Sequence, residues 1–152
     1  MTKTLSVSAI KEGTVIDHIK NGNALRIIHM LSLLRTEKQI TLGLNLPSKC
    51  IGRKDLIKIE GLELTPEQAN EVIIFAPEAT INIVKNFEVV QKLKTHLPPS
   101  IKSVFTCPNT MCISQEKQVT SLFYIEEQEK RVSLTCHYCE RTFDRYQIKV
   151  KI

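Results

Sequence analysis

The sequence predicts an α+β protein. An N-terminal antiparallel sheet carries two helices on one face, in the ferredoxin-like order βαββαβ, and a small all-β four-cysteine zinc domain follows. Three observations carry this. Period-two alternation recurs in short stretches, two helical patterns interrupt it, and "HLPPS" (96–100) separates a stretch holding one cysteine, Cys50, from a stretch holding four. Consecutive prolines stop a helix and remove sheet donors. Residues 1–97 are therefore expected to form one domain and residues 101–152 another.

Taken in order, "TVIDHI" alternates as a strand and "KNGN" follows as a loop. Residues 24–34, "ALRIIHMLSLL", crowd apolar positions on one broad helical face and predict a largely buried helix. "QITLGLNL" (39–46) and "DLIKIEGL" (55–62) alternate as strands joined through "PSKCIGR". In "LTPEQANEVIIFAP", Thr65 suits an N-cap, Pro66 the first helical position, and Gln68 completes a capping box. "ATINIV" and "FEVVQKL", joined by a turn at "KN", read as two further strands. Beyond the hinge no helix is expected. "KSVFTC", "QVTSLFYI", "RVSLTC" and "FDRYQIKV" read as four short strands, with "EEQEK" (126–130) as a hairpin loop.

Composition bounds the function. Hydrophobic residues make up 42% and charged residues 24%, ordinary for a soluble globular protein. "MTKTLSVSAI" lacks the apolar core of a signal peptide. The most apolar long stretch is too short to span a bilayer and contains Arg26 and His29. A cytoplasmic protein with no membrane contact is expected. In a reducing compartment, paired cysteines are metal ligands or redox thiols more often than disulfides.

The pattern Cys107-x4-Cys112-x23-Cys136-x2-Cys139 brings two thiolate pairs together on adjacent hairpins, where they can close a tetrahedron around one structural Zn²⁺. The alternatives are an iron site, a redox pair, for which "CHYC" lacks the helix of a βαβ unit, and two disulfides. Four thiolates fill the shell, which leaves no open position for catalysis, and His137 reads as a surface residue rather than a fifth ligand. The formal charge is +5, and a four-thiolate zinc site brings it to about +3. Such a weak basic bias argues against a large nucleic-acid footprint. No phosphate-binding glycine loop, nucleophile elbow or HExxH is present, and the four histidines, His18, His29, His96 and His137, are scattered. No catalytic constellation is read.

"GTVIDHI" (13–19), "GLNLPS" (43–48), "GRKDLIKIE" (52–60), "FAPEATIN" (75–82), "FEVV" (87–90), "CPNTMCIS" (107–114) and "CHYCE" (136–140) together resemble, in one order, the regulatory chain of aspartate carbamoyltransferase. The resemblance implies a non-catalytic subunit of pyrimidine biosynthesis. It implies an N-terminal domain that binds ATP, CTP and UTP, and a C-terminal zinc domain, with one zinc per chain, that contacts the catalytic chain. It also implies a regulatory-chain homodimer within a dodecamer of two catalytic trimers and three regulatory dimers. Carried over by residue, the nucleotide site comprises Val7, Ile10, Asp17, His18, Lys54, Leu56, Lys58, Asn82, Val84, Phe87, Val89 and Lys92.

The chemistry of these residues suits the role. Lys54 and Lys58, four apart on a strand, project from one face with Leu56 between them, and can neutralise phosphates with Lys92. Asn82 offers a donor and an acceptor, and Asp17 can accept from an amine or a ribose hydroxyl. Read without the family, Lys54 and Lys58 are a solvated strand face, and Leu56, Val84 and Val89 fit plain core equally well. Phe87 stands where the family often has tyrosine, which removes a phenolic hydrogen bond. Ser8 stands where an acidic residue is common. The competing function is a nucleic-acid-binding zinc ribbon. Against it, residues 99–152 hold 8 Lys plus Arg and 6 Asp plus Glu, which a four-thiolate zinc site brings to about zero.

Overall fold

A computed structural model describes residues 9–49 and 51–151; Val7, Ser8 and Cys50 lie outside them. Eleven strands and two α-helices are found among the described residues: β1 (Gly13–Lys20), α1 (Ala24–Met30), β2 (Ile40–Ser48), β3 (Gly52–Glu60), α2 (Pro66–Val72), β4 (Thr80–Lys85), β5 (Glu88–Lys92), β6 (Ser100–Lys102), β7 (Phe105–Thr106), β8 (Leu122–Gln128), β9 (Arg131–Cys136), β10 (Thr142–Asp144) and β11 (Lys149–Val150). The first five strands form one antiparallel sheet in the order β2-β3-β1-β4-β5. Its first four members have the ferredoxin-like arrangement, and β5 extends the β4 edge.

Alternation decides the layers. Ile16, Ile57, Ile59 and Ile81 point to one face and are buried with Ile27 and Ile28 of α1 and Ala69 and Val72 of α2. Helix α2 starts as its sequence dictates. Thr65 Oγ1 accepts from Gln68 N at 3.2 Å, and Gln68 Oε1 accepts from Thr65 N at 3.0 Å. Helix α1 is shorter than expected. It ends at Met30, and Ser32 adopts a left-handed conformation (φ 54°) before a 3-10 turn over Leu33–Arg35. The apolar spacing that suggested one helix to residue 34 is met by two pieces, which bury Leu31 and Leu33 but leave Leu34 exposed.

Asp55 is the buried carboxylate of this region. It is 1% exposed and accepts from Gly22 N (2.9 Å), Ala24 N (3.2 Å) and Asn45 N (2.9 Å). It thereby ties the entrance of α1 to the irregularity in β2. Asp55→Ala leaves these amides without their acceptor. We expect a loss of about 3 kcal/mol, the cost of orphaned buried donors bonded to a charge, measured by denaturant unfolding. A loss below about 1 kcal/mol would show that water replaces the carboxylate.

The C-terminal region differs from four strands. β10, β9, β8 and β6 form a sheet, while β11 pairs with β7 in a separate ribbon. "KSVFTC" divides because Ser103 turns the chain at φ 65°, and "FDRYQIKV" divides where Gln147 N donates to Asp144 O, so each stretch contributes to both sheets. The β8–β9 loop is tighter than expected, a two-residue turn at Glu129 and Lys130, both with positive φ. Among the described residues of this region the helical piece is a 3-10 turn at Ile113–Gln115.

The cores of the two regions are continuous. Phe105 of β7 is fully buried, edge-on to Phe75 at 5.9 Å and to Phe123 of β8 at 6.2 Å. Arg26 of α1 lies over the Tyr146 ring at 4.9 Å, Arg145 lies over the same ring at 5.0 Å, and Arg145 Nη1 donates to Ile74 O at 3.3 Å.

Candidate functional site

The four cysteines predicted as ligands converge. Cys107 follows β7, Cys112 opens the 3-10 turn, Cys136 ends β9 and Cys139 lies in the following knuckle. Their sulfurs all lie within 4.8 Å of one another, with Cys107–Cys139 and Cys112–Cys136 both at 3.7 Å. A disulfide needs about 2.05 Å, so neither pair is bonded. A tetrahedron with metal–sulfur distances of about 2.3 Å has edges of about 3.8 Å, and the two 3.7 Å edges fit it. The donor set therefore suits a tetrahedral thiophilic metal.

The surroundings hold the sulfurs in place. Ser114 Oγ lies 3.0 Å from Cys112 Sγ, and Gln115 Nε2 donates to Cys107 O (2.7 Å) and Asn109 O (2.8 Å), which fixes the first knuckle. Burial pushes the Cys107 thiol up to about 12. Cys139 is also raised by burial, but backbone N–H of Arg141, the Asn109 side chain and the neighbouring thiols outweigh this and bring it to about 7. Without a cation Cys139 gives up its proton readily, while burial makes Cys107 and Cys136 hold theirs. A divalent ion reverses this, so metal loading releases protons and tightens as pH rises.

The second constellation lies on the sheet face opposite the helices. Residues directly across antiparallel strands project to the same side. The pairs Thr41–Lys58, Lys58–Val15, Val15–Asn82 and Asn82–Lys92 thus form one row across all five strands. Leu56 and Asp17 stand on the same face, as do Val84 and its partner Val89. Leu56 and Val84 are buried, and Val89 is exposed. Asp17 Oδ1 lies 2.9 Å from Lys54 Nζ. Burial lowers the Lys58 ammonium while the Asp17 charge raises it, and the balance is downward. Ile10 is buried beside Lys11, whose carbonyl accepts from Phe87 N at 3.0 Å.

Two details were not expected. Phe87 is not in β5 but in the β4–β5 turn, 64% exposed, with Asn86 (φ 51°) and Phe87 (φ 65°) both left-handed. Glycine is usual at the second position of such a turn, and a phenylalanine there is strained by about 1–3 kcal/mol. His18 is left-handed as well (φ 58°), in a bulge between Ile16 and Ile19 of β1. Its N–H donates to Asp17 Oδ1 (2.7 Å) and its Nδ1 pairs with Thr80 Oγ1 (3.2 Å). The spacing of the two buried isoleucines, three rather than two, was the sequence signal for this bulge.

A family model described as "Aspartate carbamoyltransferase regulatory chain, allosteric domain" matches residues 5–96, and one described as the metal binding domain of the same chain matches residues 99–149. The chain belongs to the aspartate carbamoyltransferase regulatory chain family. Relatives of that name include those of Chromobacterium violaceum (47% identical, 95% of each chain), Tolumonas auensis (48%, covering 94% of this chain and 93% of the relative) and Yersinia pseudotuberculosis serotype O:1b (49%, covering 95% and 94%). The two matched models meet at the "HLPPS" segment, with the four-cysteine cluster inside the second. The regulatory chain thus has an allosteric and a metal-binding part and a catalytic chain as its partner. Among the described residues no helix is long and apolar enough to cross a membrane.

Proposed function

We propose that the regulatory chain is a non-catalytic subunit of pyrimidine biosynthesis in the cytoplasm, which binds ATP, CTP and UTP on the sheet face described above and adjusts its catalytic partner. The row Lys58–Val15–Asn82–Lys92 is the observation that carries this reading. It sets two cations on either side of an amide, with Lys54 four residues along β3 beyond Leu56 and apolar side chains flanking. Charge-assisted contacts hold the phosphates, Asn82 reads a polar edge of base or sugar, and Leu56, Val84 and Val89 cover apolar surface. The strained, exposed Phe87 supports a ligand contact at the β4–β5 turn. Val7 completes the proposed set.

The metal is zinc, one per chain, in a closed structural site, since tetrahedral thiolate ligation without a redox task suits it. Residues 1–97 bind nucleotide and residues 101–152 dock to the catalytic chain. The exposed Met111 and Ile113, flanking Cys112, support a docking role for that knuckle. The assembly is a dodecamer in which regulatory homodimers bridge two catalytic trimers.

Lys58→Ala tests the shared face. Removing one charge-assisted phosphate contact weakens ATP and CTP together by about ten- to a hundredfold, read by calorimetric titration. In the complex with the catalytic chain, the same variant loses nucleotide sensitivity. Unchanged affinity for both nucleotides would place the site elsewhere.

A further inference from the structure

The bulge in β1 stands between two places, beside the direct Lys20–Lys54 pairing of β1 with β3. On one side Asp17 is paired with Lys54 on the proposed nucleotide face. On the other, His18 lines a cavity of about 520 Å³ at the junction of the two regions. Lys20 and Ala76 also line it from the N-terminal region, with Glu127, Lys130 and Arg145 facing them from the C-terminal region. One carboxylate oxygen, Asp17 Oδ1, serves both sides. It is 2.9 Å from Lys54 Nζ, which also donates to Oδ2 at 3.2 Å, and it accepts the His18 N–H at 2.7 Å. The left-handed backbone of His18 has no glycine to ease it, so the restraints on either side of the residue hold it there: the Asp17 carboxylate on its N–H and Thr80 Oγ1 on its ring.

We propose that the Asp17–His18 bulge relays occupancy of the lysine face to the C-terminal region, through competition between a triphosphate and Asp17 for Lys54. This rests on the nucleotide reading above. Phosphate oxygens that engage Lys54 displace the Asp17 carboxylate, because two anions cannot share one close ammonium without repulsion. Asp17 then releases the His18 N–H. The bulge relaxes, the imidazole changes its position against Thr80, and the wall of the junction cavity moves. The ligand shifts this equilibrium because it bonds Lys54 more strongly once Asp17 has left. Thr80, paired with Asp17 across β1 and β4, is a positioning residue in this scheme, since it holds the His18 ring.

The test uses the full chain, labelled for amide NMR and titrated with ATP. In the wild type, amides of Glu127, Lys130, Val132 and Arg145 shift along with those of Lys54, Lys58 and Asn82. Thr80→Val keeps ATP affinity within about threefold, yet loses most of the shift at the four C-terminal positions, and Thr80→Ser restores it. Lys58→Ala, at an ATP concentration that leaves the lysine face empty, shifts neither set. If the lysine-face amides respond and the C-terminal ones do not, the relay is wrong while the site stands. Thr80→Val with undiminished C-terminal shifts also overturns it. C-terminal shifts that persist in Lys58→Ala mean that ATP enters the junction cavity directly, which overturns it too. Silence at both sets removes the nucleotide face itself.

Discussion

Removing the metal is expected to dismantle the C-terminal region while leaving the N-terminal sheet folded. Cys107, Cys112, Cys136 and Cys139 join four chain positions around a small core that includes Phe105, Phe123, Val132 and Leu134. In small zinc-binding peptides, metal binding contributes about 10–16 kcal/mol, and folding depends on it. Chelation, or Cys139→Ser, should abolish the signals of β8 and β9 and release the catalytic chain. The N-terminal sheet keeps its two helices and should still bind nucleotide. It will not be untouched, because Phe75, Ile74 and Ala76 are fully buried and Phe75 packs directly on Phe105. Uncovering Phe75 costs it about 1–3 kcal/mol. Elemental analysis, amide NMR and size-exclusion chromatography with the partner check each step. Full assembly by a demetallated chain, or nucleotide binding lost together with the metal, would contradict it.

Phe105→Ala should be the most damaging single apolar substitution. The side chain is fully buried and forms the edge-to-face bridge from Phe75 to Phe123. Truncating such a phenylalanine costs about 3–5 kcal/mol, or a fall in melting temperature of roughly 6–20 °C in a chain of this size. Because the cavity opens where the two regions meet, thermal unfolding should also separate into two transitions. A single transition displaced by only a degree or two would show that the flanking rings collapse to fill the space.

These expectations differ in how far the sequence announced them. The meeting of the four cysteines was legible, since two thiol pairs at short spacing are a common pattern for holding one ion. The start of α2 was legible because a capping box is a local device: Thr65, Pro66 and Gln68 act within one turn. The face of the lysine row was legible from alternation, but its rungs were not. Only the pairing of Lys58 with Val15 and of Val15 with Asn82 joins residues far apart in the chain. The end of α1 was missed because Ser32 resembles any helix-tolerant polar residue until its left-handed conformation is seen. Ser103 concealed the division of "KSVFTC" in the same way. The Arg26–Tyr146–Arg145 stack and the shared aromatic core were invisible, because each depends on how two regions meet rather than on either sequence pattern.

The position of β1 has a consequence for synthesis on the ribosome. This strand is in the middle of its sheet, between β3 and β4, yet it is the first strand among the described residues to be made. Neither neighbour is complete when Lys20 is added, and the second is finished only at Lys85. At roughly 5–20 residues per second that wait lasts on the order of several seconds. Until β3 is made at Glu60, Ile16 and Ile19, which end fully buried, have no neighbouring strand, and until Lys85 the sheet lacks its other side. The nascent chain therefore presents two isoleucines destined for full burial well before their strand can be paired, an interval in which a chaperone has something to protect.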